Sequence, residues 1–67
     1  MDADNIQDAC QFLLVETEFS YENNSYRIDE VNIGGNYVKC YKFNGGTIHT
    51  FNNLSEINAT IEHCLNN

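Results

Sequence analysis

The sequence predicts an α+β fold: a two-layer sandwich in which an antiparallel three- or four-stranded sheet is flanked by an N-terminal and a C-terminal helix, α-βββ(β)-α. Three features predict it. Apolar residues recur every three to four positions near both ends, and they alternate with polar residues through the middle. Gly- and Asn-rich clusters punctuate that middle at hairpin spacing. The chain has 67 residues, which suffice for one domain over residues 1–67 and bury only about 60% of the unfolded surface. That leaves no room for separate cofactor and substrate domains, so large multi-part enzymes are excluded.

The first helix is expected over residues 4–15. Ile6, Ala9, Cys10, Leu13 and Leu14 fall on one face of a 3.6-residue period. Asp4 is a good N-cap, and Gln7 three residues later completes a capping-box pattern. Phe12 and Val15 widen the apolar surface beyond one stripe. A first strand over 17–22 is a candidate, because Phe19 and Tyr21 alternate with polar neighbours before Asn23-Asn24-Ser25 signals a turn. Tyr26 and Ile28 continue the alternation. Val31 and Ile33 then lie on the opposite phase, with Asp29-Glu30 between them. A β-bulge absorbs a one-residue slip of this kind. Gly34-Gly35-Asn36 is a hairpin turn that calls for positive φ. Residues 37–43 form the clearest strand, Asn44-Gly45-Gly46 a second turn, and 47–51 the last strand. Leu54, Ile57, Ile61, Cys64 and Leu65 form the stripe of a second helix over 54–65, with Asn53 as its cap and Glu56 at the third helical position.

Charge is the strongest asymmetry. Ten acids stand against three Lys and Arg, a net of −7. All of it lies in residues 1–30, where Asp2, Asp4, Asp8, Glu16, Glu18, Glu22, Asp29 and Glu30 face Arg27 alone; residues 31–67 balance to zero. A chain of this sign does not grip nucleic acid through phosphate contacts, and anionic lipid repels it. The longest apolar run, residues 12–15, is far short of the ~20 residues that span a bilayer. The opening residues lack the basic and apolar regions of a signal peptide. A soluble, cytoplasmic protein is therefore expected. Asn-rich chains often come from AT-rich genes that also favour Lys, yet only Lys39 and Lys42 occur, so the acidity looks selected.

No arrangement of residues names a reaction. Cys10, Cys40 and Cys64 are odd in number and widely spaced, and read as buried free thiols, although a bridge between Cys10 and Cys64 is sterically conceivable. His63 and Cys64 are helix neighbours that point about 100° apart, and His49 reaches a cysteine only through a fortunate fold. Two His and three Cys stand at no metal-ligand spacing, so neither a metal nor a cofactor is expected. Asp29 and Glu30, as consecutive strand residues, point to opposite faces and share no cleft. Neither glycine pair opens a helix or precedes a Lys, so phosphate-loop logic fails.

The aromatics carry more. Tyr37, Lys39, Tyr41 and Phe43 share one strand face, and Val38, Cys40 and Lys42 the other. If Val38 and Cys40 face the helices, Tyr37 and Tyr41 lie on an open sheet face, with Tyr26 joining from the neighbouring strand and Tyr21 as a fourth anchor. Exposed Tyr offers contact area at low entropic cost. Clustered carboxylates repel one another and reduce stability; their gain is solubility or steering toward a basic partner.

The order α-βββ-α in so short a chain resembles the topology of the double-stranded RNA-binding domain. That family places Lys at the start of its last helix, where this chain has Asn52-Asn53-Leu54-Ser55-Glu56 and no base, so RNA binding by that route is not expected. In length, lone α+β domain, surplus carboxylate and absence of a catalytic motif, the chain resembles the small acidic phage-encoded inhibitors of host defence, the anti-CRISPR and DNA-mimic proteins. That resemblance implies a non-enzymatic inhibitor of a larger protein with a basic, nucleic-acid-binding surface. The acids of residues 2–30 would supply steering, and Tyr21, Tyr26, Tyr37 and Tyr41 the anchors. The alternative is a homodimeric accessory module that pairs through its exposed sheet face or edge. A small enzyme is a third reading.

Overall fold

In a computed structural model that describes residues 3–65, the chain is an antiparallel four-stranded sheet with both helices on one face. The elements are α1 (Ile6–Cys10), β1 (Glu18–Tyr21), β2 (Asn24–Asn32), β3 (Tyr37–Lys42), β4 (Thr47–Phe51) and α2 (Leu54–Leu65), and the strands pair in chain order β1-β2-β3-β4. The α+β sandwich expected from the pattern is thus present, with the candidate first strand included.

The first helix is shorter than its periodicity suggests. Asn5, not Asp4, is the cap: its Oδ1 accepts from the Asp8 backbone N–H at 2.8 Å while its Nδ2 donates to Asp8 Oδ2 at 3.1 Å. Past Cys10 the bonding tightens to three-residue turns, with Phe12 N–H on the Ala9 carbonyl and Leu13 N–H on that of Cys10. Leu13 still reaches the core, while Phe12, Leu14 and Val15 stand exposed. The chain must reverse here to enter the sheet. It does so at Glu16, whose φ is 75° and whose N–H donates to the Ile28 carbonyl. The second helix matches its predicted bounds, capped by Asn53, whose Oδ1 accepts from Ser55 N–H at 2.8 Å.

Register sorts the two sheet faces. The pairs Phe19↔Tyr26, Tyr26↔Lys42, Ile28↔Cys40, Val31↔Val38, Cys40↔His49 and Val38↔Phe51 lie on the helix side. The ladder slips once, between Ile28 and Glu30, at the expected bulge. The core joins Phe19, Tyr26, Ile28, Val38, Cys40 and Phe51 of the sheet to Ala9, Cys10 and Leu13 of the first segment and Ile57 and Ile61 of α2. Phe51 is its centre, with ring centroids 5.4 Å from Tyr26, 5.8 Å from Tyr21 and 6.2 Å from Phe19. Asn58 ties the ends of the chain: Oδ1 accepts from Ala3 N–H at 3.0 Å and Nδ2 donates to the Ala3 carbonyl at 3.1 Å. Among the described residues no helix is long and apolar enough to cross a membrane.

A domain of this size has a total stability of only a few kcal/mol. Phe51→Ala removes the ring on which four others pack, those of Phe19, Tyr21, Tyr26 and His49, and is expected to cost about 3–5 kcal/mol, enough to unfold most of the population. Leu14→Ala, at a side chain 72% exposed, is expected to shift stability by less than about 0.5 kcal/mol. Urea titration followed by circular dichroism measures both.

Candidate functional site

The open face of the sheet is built by the residues between the core positions. Glu18 pairs with Arg27, Arg27 with Tyr41 and Tyr41 with Ile48, so these four form one row across all four strands. Val38 and Cys40 are buried against the helices, and Tyr37 and Tyr41 therefore occupy the open face, as the strand alternation requires. Phe43, just past β3, stands edge-on to Tyr41 with centroids 5.2 Å apart. The Arg27 guanidinium lies 5.2 Å over Tyr41 and 5.8 Å over Phe43, at distances where cation–π attraction contributes. Phe43 is 43% and Ile48 53% exposed, so the patch ends in open apolar surface.

Two of the four expected anchors are elsewhere. Tyr26 is 5% exposed and stacks on Phe19 at 5.4 Å. It shares the phase of Ile28, two residues on, and so belongs to the core. Tyr21 is half-buried on the helix side, edge-on to Phe51 and to His63. Burial raises its hydroxyl pKa, and the nearby Glu22 and Glu56 raise it further.

The acids fall into separate groups. Glu16, Glu18 and Asp29 converge with Val15 and Arg27 around one shallow depression. Arg27 Nε donates to Asp29 Oδ1 at 2.8 Å; this bond, and then the Asp29 charge, raise the guanidinium pKa. Glu30 joins the same face and accepts from the Tyr37 hydroxyl at 3.0 Å. Asp29 and Glu30 thus share a face, not opposite faces, because the bulge spends one residue of the alternation between them. Glu22 sits apart in the β1–β2 turn, and Asp4 and Asp8 are exposed at α1, Asp8 being engaged with its cap. Asp2 lies outside the described residues. Among the described residues, Arg27–Asp29 is the one ion pair of a Lys or Arg with a carboxylate; Glu56 has His49 at 3.9 Å. Glu16, Glu18 and Glu30 have no such partner.

Tyr37 is held in place by a short relay. Its hydroxyl accepts from Asn32 Nδ2 at 2.9 Å while donating to Glu30, and Asn32 Oδ1 accepts from Gly35 N–H at 2.6 Å. Gly35 is required because the Tyr37 ring lies over it: an added Cβ would stand 2.6 Å from Cε2. Lys39 rests 5.6 Å from the same ring.

Sequence reasoning places Phe43 on this face without naming it an anchor, and misses Arg27 and Ile48 as members of the patch. The signal was the hairpin register: with Glu22-Asn23 as the turn, Arg27 falls opposite Glu18 and under Tyr41. Two of the acids also sit in strained backbone. Glu16 (φ 75°) and Glu22 (φ 50°) occupy the left-handed region, where Gly or Asn is at ease.

The thiols give the face no nucleophile. All three cysteines are free; Cys10 and Cys40 are buried and Cys64 half-buried. Burial pushes the Cys40 thiol up to about 12, and a protonated thiol reacts poorly. Among the described residues no group of three or more His, Cys, Asp or Glu is placed to hold a metal ion. No protein-family model, no curated protein and no solved structure matches this chain.

Glu16→Gly and Glu22→Gly are each expected to raise stability by about 1 kcal/mol by removing left-handed strain. Glu16→Gln keeps the strain and is expected to change stability by less than half as much; denaturant melts compare the three. The Cys40 thiol is protonated in the folded protein far above the usual thiol range. Stability is therefore expected to hold below pH ~9 and to fall as pH rises toward about 12, with Cys40→Ser flattening that slope in melts recorded across the window.

Proposed function

We propose that this chain is a non-enzymatic inhibitor that binds a basic, nucleic-acid-binding surface of a larger protein in the cytoplasm and occludes it, in the manner of small acidic anti-defence proteins. One observation carries the reading: among the described residues Glu16, Glu18 and Glu30 make no ion pair with Lys or Arg, although Glu18 lies cross-strand from Arg27 and Glu30 from Lys39, and they stand beside an exposed aromatic patch on the open face. Carboxylates left unpaired on a marginal domain cost self-repulsion. Two of the acids, Glu16 and Glu22, cost backbone strain as well.

On this reading the acids act first. Their field steers a cationic surface toward the open face and raises the association rate by roughly 10–10³ at low salt. Tyr37, Tyr41 and Phe43 then supply rigid contact area, with two rotatable bonds each. Arg27 and Lys39 are the only cations nearby, and both lie over rings. Arg27 neutralises Asp29, so the discriminating charges are Glu16, Glu18 and Glu30. Tyr21 and Tyr26 have no part in the contact.

Affinity capture from a bacterial lysate, eluted by competing DNA or RNA, tests the proposal. The expected result is a captured nucleic-acid-binding protein whose affinity drops at least tenfold in the triple variant Glu16→Gln, Glu18→Gln, Glu30→Gln. The affinity is also expected to fall between about 0.15 M and about 1 M salt, as the screening length contracts from about 8 to about 3 Å. A complex indifferent to salt and to the triple variant would refute it.

A further inference from the structure

The two edges of the sheet differ in a way that assigns them different fates. The edges are β1 and β4. Natural edge strands are blunted against foreign pairing by charge, proline, bulges or a covering element. β1 meets this demand: Glu18 lies on it, Glu16 precedes it and Glu22 follows it. A second copy brought to that edge meets its own carboxylates. β4 meets none of it. Its five residues, Thr47–Phe51, include no Asp, Glu, Lys, Arg or Pro. Its register with β3 runs unbroken from Lys42↔Thr47 to Val38↔Phe51. Thr47, Ile48, His49 and Thr50 are all exposed, and three of these four are β-branched, the type that favours a pleated strand. Within the sheet the acids lie on β1, its turn and β2; α1 packs on β3, and Glu56 is the carboxylate beside β4, 3.9 Å from His49.

We propose that β4 pairs antiparallel with β4 of a second copy, about a two-fold axis at His49, to form a continuous eight-stranded sheet. Antiparallel pairing about a two-fold opposes residues on the same face. Centring it on His49 engages all five positions: Thr47 opposes Phe51 of the second copy, Ile48 opposes Thr50 twice, and His49 meets its counterpart, each beside its own Glu56. The Ile48–Thr50 pairs extend the apolar end of the Glu18–Arg27–Tyr41–Ile48 row across the junction, and apolar–β-branched cross-strand pairs are favourable. The charge distribution favours a copy of this chain as occupant: β4 itself carries no Asp, Glu, Lys or Arg, and joining two β4 strands keeps Glu16, Glu18 and Glu22 of the β1 edges at the far ends of the extended sheet, where screening separates them, with Glu56 beside His49 the carboxylate at the junction. This contact stands independently of what the acidic side binds.

Light scattering across a dilution series tests it. The expected result is a dimer mass at high concentration that falls to the monomer mass on dilution. Two double variants test the register. Ile48→Glu with Thr50→Glu sets like charges opposite each other twice across the two-fold and is expected to weaken association at least tenfold. Ile48→Lys with Thr50→Glu sets opposite charges there and is expected to retain it. All three side chains introduced are solvent-facing, and unchanged circular dichroism verifies the fold. Monomer mass at every concentration up to about 1 mM, where even a millimolar contact is half formed, overturns the proposal. So does a dimer that survives both double variants, or one that both abolish.

Discussion

The bulge in β2 is the constraint on which the rest of the molecule depends. The sequence sets Asp29 and Glu30 side by side between Ile28 and Val31. A regular strand would send Glu30 to the core face with Ile28 and turn Val31 outward. A buried unpaired carboxylate is among the costliest defects a small core can carry. The slip between Ile28 and Glu30 removes the conflict. It keeps Val31 opposite Val38 on the helix side, and it delivers two carboxylates in succession to the open face. One irregular residue thus lets a chain with a minimal core also carry a charged surface.

Asparagine does much of the local shaping that proline and glycine do elsewhere. There are eleven Asn and no Pro. Asn5 and Asn53 cap the helices. Asn23 and Asn36 take positive φ in the turns. Asn32 holds Gly35 and Tyr37, Asn44 donates to Asn24 across neighbouring hairpins, and Asn58 clamps Ala3. A short amide side chain tolerates the left-handed region and bonds its own backbone, so one residue type serves caps, turns and links. The three Asn-x-Ser/Thr sequons begin at Asn23, Asn53 and Asn58, each already engaged in one of these tasks.

What could be read in the sequence followed the strength of its periodicities. α2 carries an unbroken stripe and a cap at the right spacing, and its bounds were legible. The bulge was legible because phase is conserved along a strand, and a switch in phase must be absorbed somewhere. The first helix was over-extended because apolar residues 12–15 match several patterns at once; the need to reverse at Glu16 comes from the sheet, not from the local sequence. Asn23-Asn24 is a stronger turn signal than Glu22-Asn23, so the pattern alone sets the β1–β2 turn one residue late. That shift hid the pairing of Glu18 with Arg27. Tyr26 reads as an exposed anchor by residue type, whereas its phase with Ile28 puts it in the core. The grouping of the acids was only partly legible: charge adjacency in sequence says little about which carboxylates meet once strands reverse.

Meander topology also sets an order in time. Each strand pairs with the one just before or after it, across turns of two, four and four residues. Closing such short loops costs little chain entropy, so the hairpins can zip from neighbour to neighbour. The hydrogen bonds between Ala3 and Asn58 span 55 positions and draw on nearly the whole chain. They close the longest loop in the fold, so they become favourable only once the hairpins and the helices packed on them have brought Ala3 and Asn58 together, a latch that completes assembly and does not start it.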